Sequence, residues 1–299
     1  MFELIYRADP AGAVPRQMPR TWEEARQLLV RGNHDFAEMT DSHQTQKNTL
    51  VIPFDPRAIG WGVGNGDAPA QAPFAAVLGC ADARVPTEMV FGKGCNELFV
   101  VRVAGNVLGQ ECLGSLRYAV GHFPESLKLL VVLAHAHCGA VTEAVDVYRE
   151  PRRYMDMATD HSIRSIEDQI LVAVRVAAMA LEALYGVEAT RRPECKAALL
   201  EASVVLNAAW SAYCLRQEFR TRPDLGVVFG TYDLKSRYVR LSLPPSGELT
   251  EKEKGLFTPP EDAEGFRQLA LRICTGGFVQ SLIVSGTEGH GSPQDRRTA

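Results

Sequence analysis

The sequence has no excess of positive charge: 32 Lys and Arg stand against 36 Asp and Glu, a formal net charge of −4. A basic footprint for nucleic acid is lacking, so no nucleic-acid partner is expected. No apolar run approaches the roughly 18–20 residues that span a bilayer, and no membrane partner is expected. The opening MFELIYRADP lacks the basic, apolar, small-residue order of a signal peptide, so a cytoplasmic location is expected. The seven cysteines are odd in number and scattered, which excludes a disulfide scaffold and leaves buried thiols, metal ligands or nucleophiles. Internal repeats and low-complexity blocks are also missing. What remains is 299 residues, 46% apolar and 23% charged, enough to bury a sizeable core.

Hydrophobic patterning gives the fold class. PFAAVLG, ELFVVRV and KLLVVLA are short, near-continuous apolar runs separated by segments long enough for helices. Such runs belong to strands covered on both faces, hence to a mostly parallel sheet with crossover helices. LGVVFGTYD reads as a returning strand that RYVRLSL can pair with. GSLRYAVGHF, SIRSIEDQILVAVRVAAMALEALYG and the long segment opened by Pro193 read as helices. TWEEARQLLVRG reads as an earlier helix, with Thr21 and Glu24 as a capping box and Gly32 as a stop signal. Residues 1–20 read as an extended arm and residues 40–72 as a long polar, Gly- and Pro-rich loop. The expectation is one α/β domain over 1–299: an N-terminal helical arm and loop (1–70), a catalytic core (71–245) and a C-terminal extension (246–299). That extension carries one more helix over 261–274 and a polar, disordered end.

Chemistry gathers where two of these strands end. GCADAR places Cys80, Asp82 and Arg84 after the first run, and HAHC places His135 and Cys138 after the third. In open parallel sheets ligands collect at the carboxyl ends of strands. Two thiolates and an imidazole form a donor set suited to zinc, and three protein ligands leave a fourth position open, as in a catalytic site. Asp82 can ligate the metal itself or accept a hydrogen bond from a water on it, and Arg84 can hold that carboxylate in a bidentate pair.

The stretches QAPFAAVLGCADARVP, ELFVVRVAGN, LGSLRYAV and HAHCGAV, in this order and spacing, resemble the β-class carbonic anhydrases. GNHDFA and LGVVFGTYDL fit as well, and the likeness spans about residues 20–245. The resemblance implies the β-carbonic anhydrase fold and one zinc ion per chain on Cys80, His135 and Cys138, with Asp82–Arg84 as catalytic dyad. It implies a substrate pocket with Gln71, Phe99 and Tyr118, which can serve a neighbouring subunit's zinc. Val77 stands where the bicarbonate-regulated members carry Trp, so the chain resembles the open-site (type I-like) subtype. It departs from the family at Ala83, Cys95-Asn96-Glu97 and Ala134, and in its long 40–72 loop and its tail. A homodimer, or a tetramer of dimers, is implied.

The implied activity is that of a carbonate dehydratase: reversible hydration of CO2 to bicarbonate and a proton by zinc-bound hydroxide. His137 and His122 are candidate proton carriers, because an ordinary imidazole titrates near neutrality. The alternatives are a same-fold hydrolase of carbon disulfide or carbonyl sulfide, and a non-catalytic zinc-bearing scaffold or bicarbonate sensor. A thiol redox protein is a third, disfavoured because no C-x-x-C is present.

Overall fold

A computed structural model describes residues 2–8, 18–39, 49–61, 68–241 and 254–288. Its centre is a five-stranded sheet of β3 (Ala75–Cys80), β4 (Leu98–Val103), β5 (Leu129–His135), β6 (Gly226–Tyr232) and β7 (Val239–Arg240), in the order β4-β3-β5-β6-β7. The first four are mutually parallel and β7 is antiparallel to β6, which agrees with the mostly parallel sheet expected. β3, β5 and β6 are buried along their whole length, whereas β4 is the half-exposed edge.

Strand periodicity sorts the core into two layers. Ala76, Leu78, Leu130 and Val132 pack with α4 (Gly139–Arg149), α6 (His161–Tyr185) and α7 (Lys196–Glu218). Ala75, Val77, Leu129 and Val131 pack on the other face with α1 (Trp22–Met39) and α2 (Thr87–Val90). The crossover helix α3 (Gln110–His122) follows β4, and α5 (Arg152–Met157) links α4 to α6. With the turn before it, α7 is long and apolar enough to cross a bilayer, but 78% of that window is buried inside the protein. The C-terminal segment packs into the first layer rather than trailing from it. Phe257 bridges to Phe229, and α8 (Ala263–Cys274) and α9 (Gly277–Glu288) bury Phe266, Ile273, Val279 and Ile283 there. The polar end expected to be disordered falls from 289 onward, outside the described residues.

Three expectations need correction. Gly32 does not stop α1, which runs on to Met39. A Cβ on Gly32 would lie 1.9 Å from the Phe91 carbonyl oxygen, so glycine is there to let α1 approach the chain after α2. The Thr21–Glu24 box is half made: Glu24 N–H donates to Thr21 Oγ1 (3.3 Å), but Glu24 Oε2 accepts from Arg20 N–H (2.7 Å) rather than from Thr21. The 40–72 segment is not all loop, because TLVIPF forms β2 (Thr49–Phe54), paired in parallel with β1 (Glu3–Ala8) as a separate two-stranded sheet. Residues 40–48 and 62–67 of that segment lie outside the described residues.

Asn33, 1% exposed, joins distant parts of the chain. Its Oδ1 accepts from Val239 N–H (2.7 Å), and its Nδ2 donates to the carbonyls of Val90 and Arg237 (3.0 Å each). On the other layer α6 buries a carboxyl. Glu167 is 3% exposed, its Oε2 has no hydrogen-bond partner, and burial, helped by Glu143 and Asp168, raises its pKa to about 7. Between pH ~4.5 and ~7 the folded chain holds this proton while the unfolded chain has released it, so stability falls as pH rises through that window. Glu167→Gln should therefore stabilise the protein by up to about 3 kcal/mol at pH 8 and by much less at pH 5. Urea unfolding at the two pH values checks this; equal gains at both would refute it.

Candidate metal centre

The carboxyl ends of β3 and β5 are neighbours in the sheet, which is why two motifs 55 residues apart in sequence meet. Cys80 closes β3, His135 closes β5, and Cys138 stands one residue ahead of α4. The donor atoms of these three buried residues all lie within 4.8 Å of one another. The sulfurs are 3.8 Å apart, well beyond the ~2.05 Å of a disulfide. The separation matches the ~3.8 Å between two thiolates held tetrahedrally at ~2.3 Å from one zinc ion. His135 is 0% exposed; its Nδ1 bonds the Ala136 carbonyl (2.9 Å), and its Nε2 is buried with no hydrogen-bond partner. Buried polar atoms are nearly always paired, so this nitrogen calls for a ligand. Two soft thiolates and one imidazole fit zinc. A hydrogen bond from Cys138 draws the Cys80 thiol well below its ordinary value, and the same bond with burial pushes Cys138 up. One sulfur of the pair is thus poised as thiolate.

Asp82 and Arg84 follow on the β3–α2 turn. Arg84 Nε donates to Asp82 Oδ1 (2.9 Å) and a terminal guanidinium nitrogen to Oδ2 (2.6 Å), while Arg84 N–H also donates to Oδ1 (2.9 Å). Asp82 Oδ2 lies 3.7 Å from His135 Nε2. Arg84, and burial against it, set the carboxyl: the guanidinium bonds prevail and hold it well below the usual carboxylate range. Arg84 also reaches the His137 carbonyl (3.3 Å), and His137 is exposed with φ 54°.

Gln71, Phe99 and Tyr118 are not gathered with the cysteines. Gln71 precedes β3 and Phe99 lies near the start of β4, so both stand at the opposite ends of these strands from Cys80. They share a cavity of about 240 Å³ with Ala58, Pro73, Asn96 and Leu98. Tyr118, 49% exposed, packs its ring beside Phe99 and stacks on His122 at 3.9 Å. His122 is thereby placed with this group and not with the metal centre.

Two site residues had no reading from sequence alone. Asn96 (φ 64°) accepts from Ala72 N–H (2.9 Å) and donates to the Ala70 carbonyl (3.0 Å), clasping the chain on both sides of Gln71. Its signal was the departure Cys95-Asn96-Glu97, since Asn tolerates positive φ. Arg102 on β4 donates to the carbonyls of Cys80 (3.0 Å) and Asp82 (2.6 Å), a link that only the strand register reveals.

The sequence model of one protein family, described as carbonic anhydrase, matches residues 75–236. Carbonic anhydrase 2 of Mycobacterium tuberculosis is 39% identical over 117 residues, 39% of this chain and 49% of that protein. A carbonic anhydrase of Mycolicibacterium smegmatis is 44% identical over 81 residues, 27% of this chain and 38% of that one. The chain thus spans about half the length, or less, of these curated relatives. Among solved structures, a tetrameric β-carbonic anhydrase of Sordaria macrospora is 18% identical with TM-score 0.45, covering 57% of this chain and 81% of that one. The Coccomyxa β-carbonic anhydrase in complex with acetazolamide is 21% identical with TM-score 0.45, covering 72% and 84%. The family match, over more than half of the chain and including both strand-end motifs, makes this chain a member of the carbonic anhydrase family.

Proposed function

We propose that this chain catalyses the reversible hydration of CO2 to bicarbonate and a proton, with one zinc ion held by Cys80, His135 and Cys138. The observation that carries the reading is the buried Cys-His-Cys cluster set against an Asp82 already paired to Arg84. Zinc on these donors supplies Lewis acidity that brings the pKa of a water toward ~7, tempered by the two thiolates. The Asp82 carboxylate takes a hydrogen bond from the attacking water and aims its lone pair at the substrate carbon. Arg84 keeps Asp82 ionised and fixed by two parallel bonds. Both Asp82 oxygens are engaged by Arg84, at 2.9 and 2.6 Å, which supports a carboxylate held off the metal. His137, next to the ligand Cys138, would pass the released proton to buffer, a role its exposure supports.

Gln71, Phe99 and Tyr118 complete the site of a second copy. Their place at the far ends of the strands keeps them from their own chain's cluster, and among the described residues β4 has no strand on its outer side, a half-exposed apolar edge of the kind proteins cover. Gln71 would there donate to the substrate oxygen on which charge develops. A homodimer, or a tetramer of dimers, follows. Seven free cysteines suit a reducing compartment such as the cytoplasm.

Stopped-flow CO2 hydration by the zinc-loaded protein at pH about 8.5, above the ~7 of an activated water, tests the reading. Rapid hydration is expected. Absence of hydration at one zinc per chain would overturn it and direct attention to carbon disulfide and carbonyl sulfide.

A further inference from the structure

The chain from Cys80 to Asp82 carries both a metal donor and the carboxylate beside it, and it leaves the sheet exactly one residue after its last ladder pairing. The backbone ladder supports it only as far as Ala81, whose N–H donates to the Val103 carbonyl (3.1 Å). Beyond that, the neighbouring strand reaches over with a side chain. Arg102 Nε donates to the Cys80 carbonyl (3.0 Å), and a terminal nitrogen of the same guanidinium donates to the Asp82 carbonyl (2.6 Å). A planar, permanently charged fork holds two carbonyls from two nitrogens of fixed separation, and so fixes their spacing. The bond to Cys80 has the ordinary N–H···O length and the bond to Asp82 is short, and both have a charged donor.

We infer that Arg102 is a positioning residue of the metal centre: it sets the direction in which Cys80 presents its sulfur, and so sets the affinity of the site for zinc. Its hydrogen bonds go to backbone carbonyls and not to the donor atoms, so it acts through the backbone that bears them. Arg84 cannot replace it, because its Nε and a terminal nitrogen are engaged by the Asp82 carboxylate. The inference rests on the metal-centre reading but not on the identity of the substrate. Partners that orient metal ligands typically matter 10–100-fold in metal affinity or activity.

The test compares wild type, Arg102→Lys and Arg102→Met by zinc competition against a chromophoric chelator and by absorption of the cobalt(II)-substituted proteins. Arg102→Met should bind zinc 10–100-fold more weakly and shift the thiolate-to-cobalt charge-transfer band, because Cys80 is no longer aimed. Arg102→Lys, which retains charge but can satisfy the two carbonyls only without a rigid fork, should fall between. Wild-type affinity and an unchanged cobalt spectrum in Arg102→Met would overturn the inference. So would a spectrum unchanged in Arg102→Lys if Arg102→Met does not fold. Failure of the wild-type chain itself to hold zinc would instead overturn the metal-centre reading beneath it.

Discussion

Asp82→Asn should leave zinc at one per chain and lower CO2 hydration by about 10²–10⁴-fold, the range of a positioned acid–base group. Zinc should stay because the cluster consists of Cys80, His135 and Cys138 alone. Turnover should fall because a carboxamide offers Arg84 one acceptor and one donor where the guanidinium presents two donors, at 2.9 and 2.6 Å. The amide group must then turn or release Arg84, and the anionic acceptor facing the water is gone. Metal analysis and stopped-flow hydration on the same preparation check both halves. A zinc-loaded Asp82→Asn protein with undiminished turnover would remove Asp82 from the mechanism.

The second large effect concerns stability. Arg240 is 0% exposed and bridges Glu201 on α7 (2.7 Å) and Asp233 after β6 (3.3 Å), both also buried. Burial is the largest single influence on the Asp233 carboxyl and pushes it up, but the Arg240 charge together with hydrogen bonds from Ser236 and Arg240 outweighs it, and the net shift is downward. Arg240→Met would leave two buried carboxylates without their cation. Removing one member of a buried ion pair costs about 3–5 kcal/mol. In a domain of this size that is a fall in Tm of roughly 6–20 °C. The deficit should shrink as pH falls, because the stranded carboxylates then gain protons. Chemical denaturation at neutral pH gives the value, and a loss below about 1 kcal/mol would show that the triad contributes little net stability.

The part of the molecule that carries the candidate metal centre was legible in sequence because its signals are local. β3 and β5 announce themselves as apolar runs, and the strand-end positions of Cys80 and His135 follow from them. Features that depend on contacts between remote segments were not legible. β1 and β2 pair Glu3 with Thr49, and nothing near either strand names the other. Gly32 looks like a helix stop because glycine serves equally for a cap and for a close approach, and only the Phe91 carbonyl distinguishes the two. Arg102 reads as one charged residue in an apolar strand until the register sets it opposite Gly79, beside the chain it holds. Gln71 and Phe99 were legible only through the family resemblance, which implied that they can serve a neighbouring subunit; their distance from their own chain's cluster follows from their place at the opposite strand ends.

The clasp made by Asn33 has a consequence for the order of events during synthesis. Two of its three hydrogen bonds reach across 206 and 204 residues, to Val239 and Arg237. At the usual ~5–20 residues per second, the ribosome delivers those partners about 10–40 s after α1 has emerged. Through that interval the helix can coil but cannot seat its buried amide, and the layer that Leu28 and Leu29 complete must wait for β6 and β7. α1 is made long before β6 and β7 and is locked in place only when they arrive.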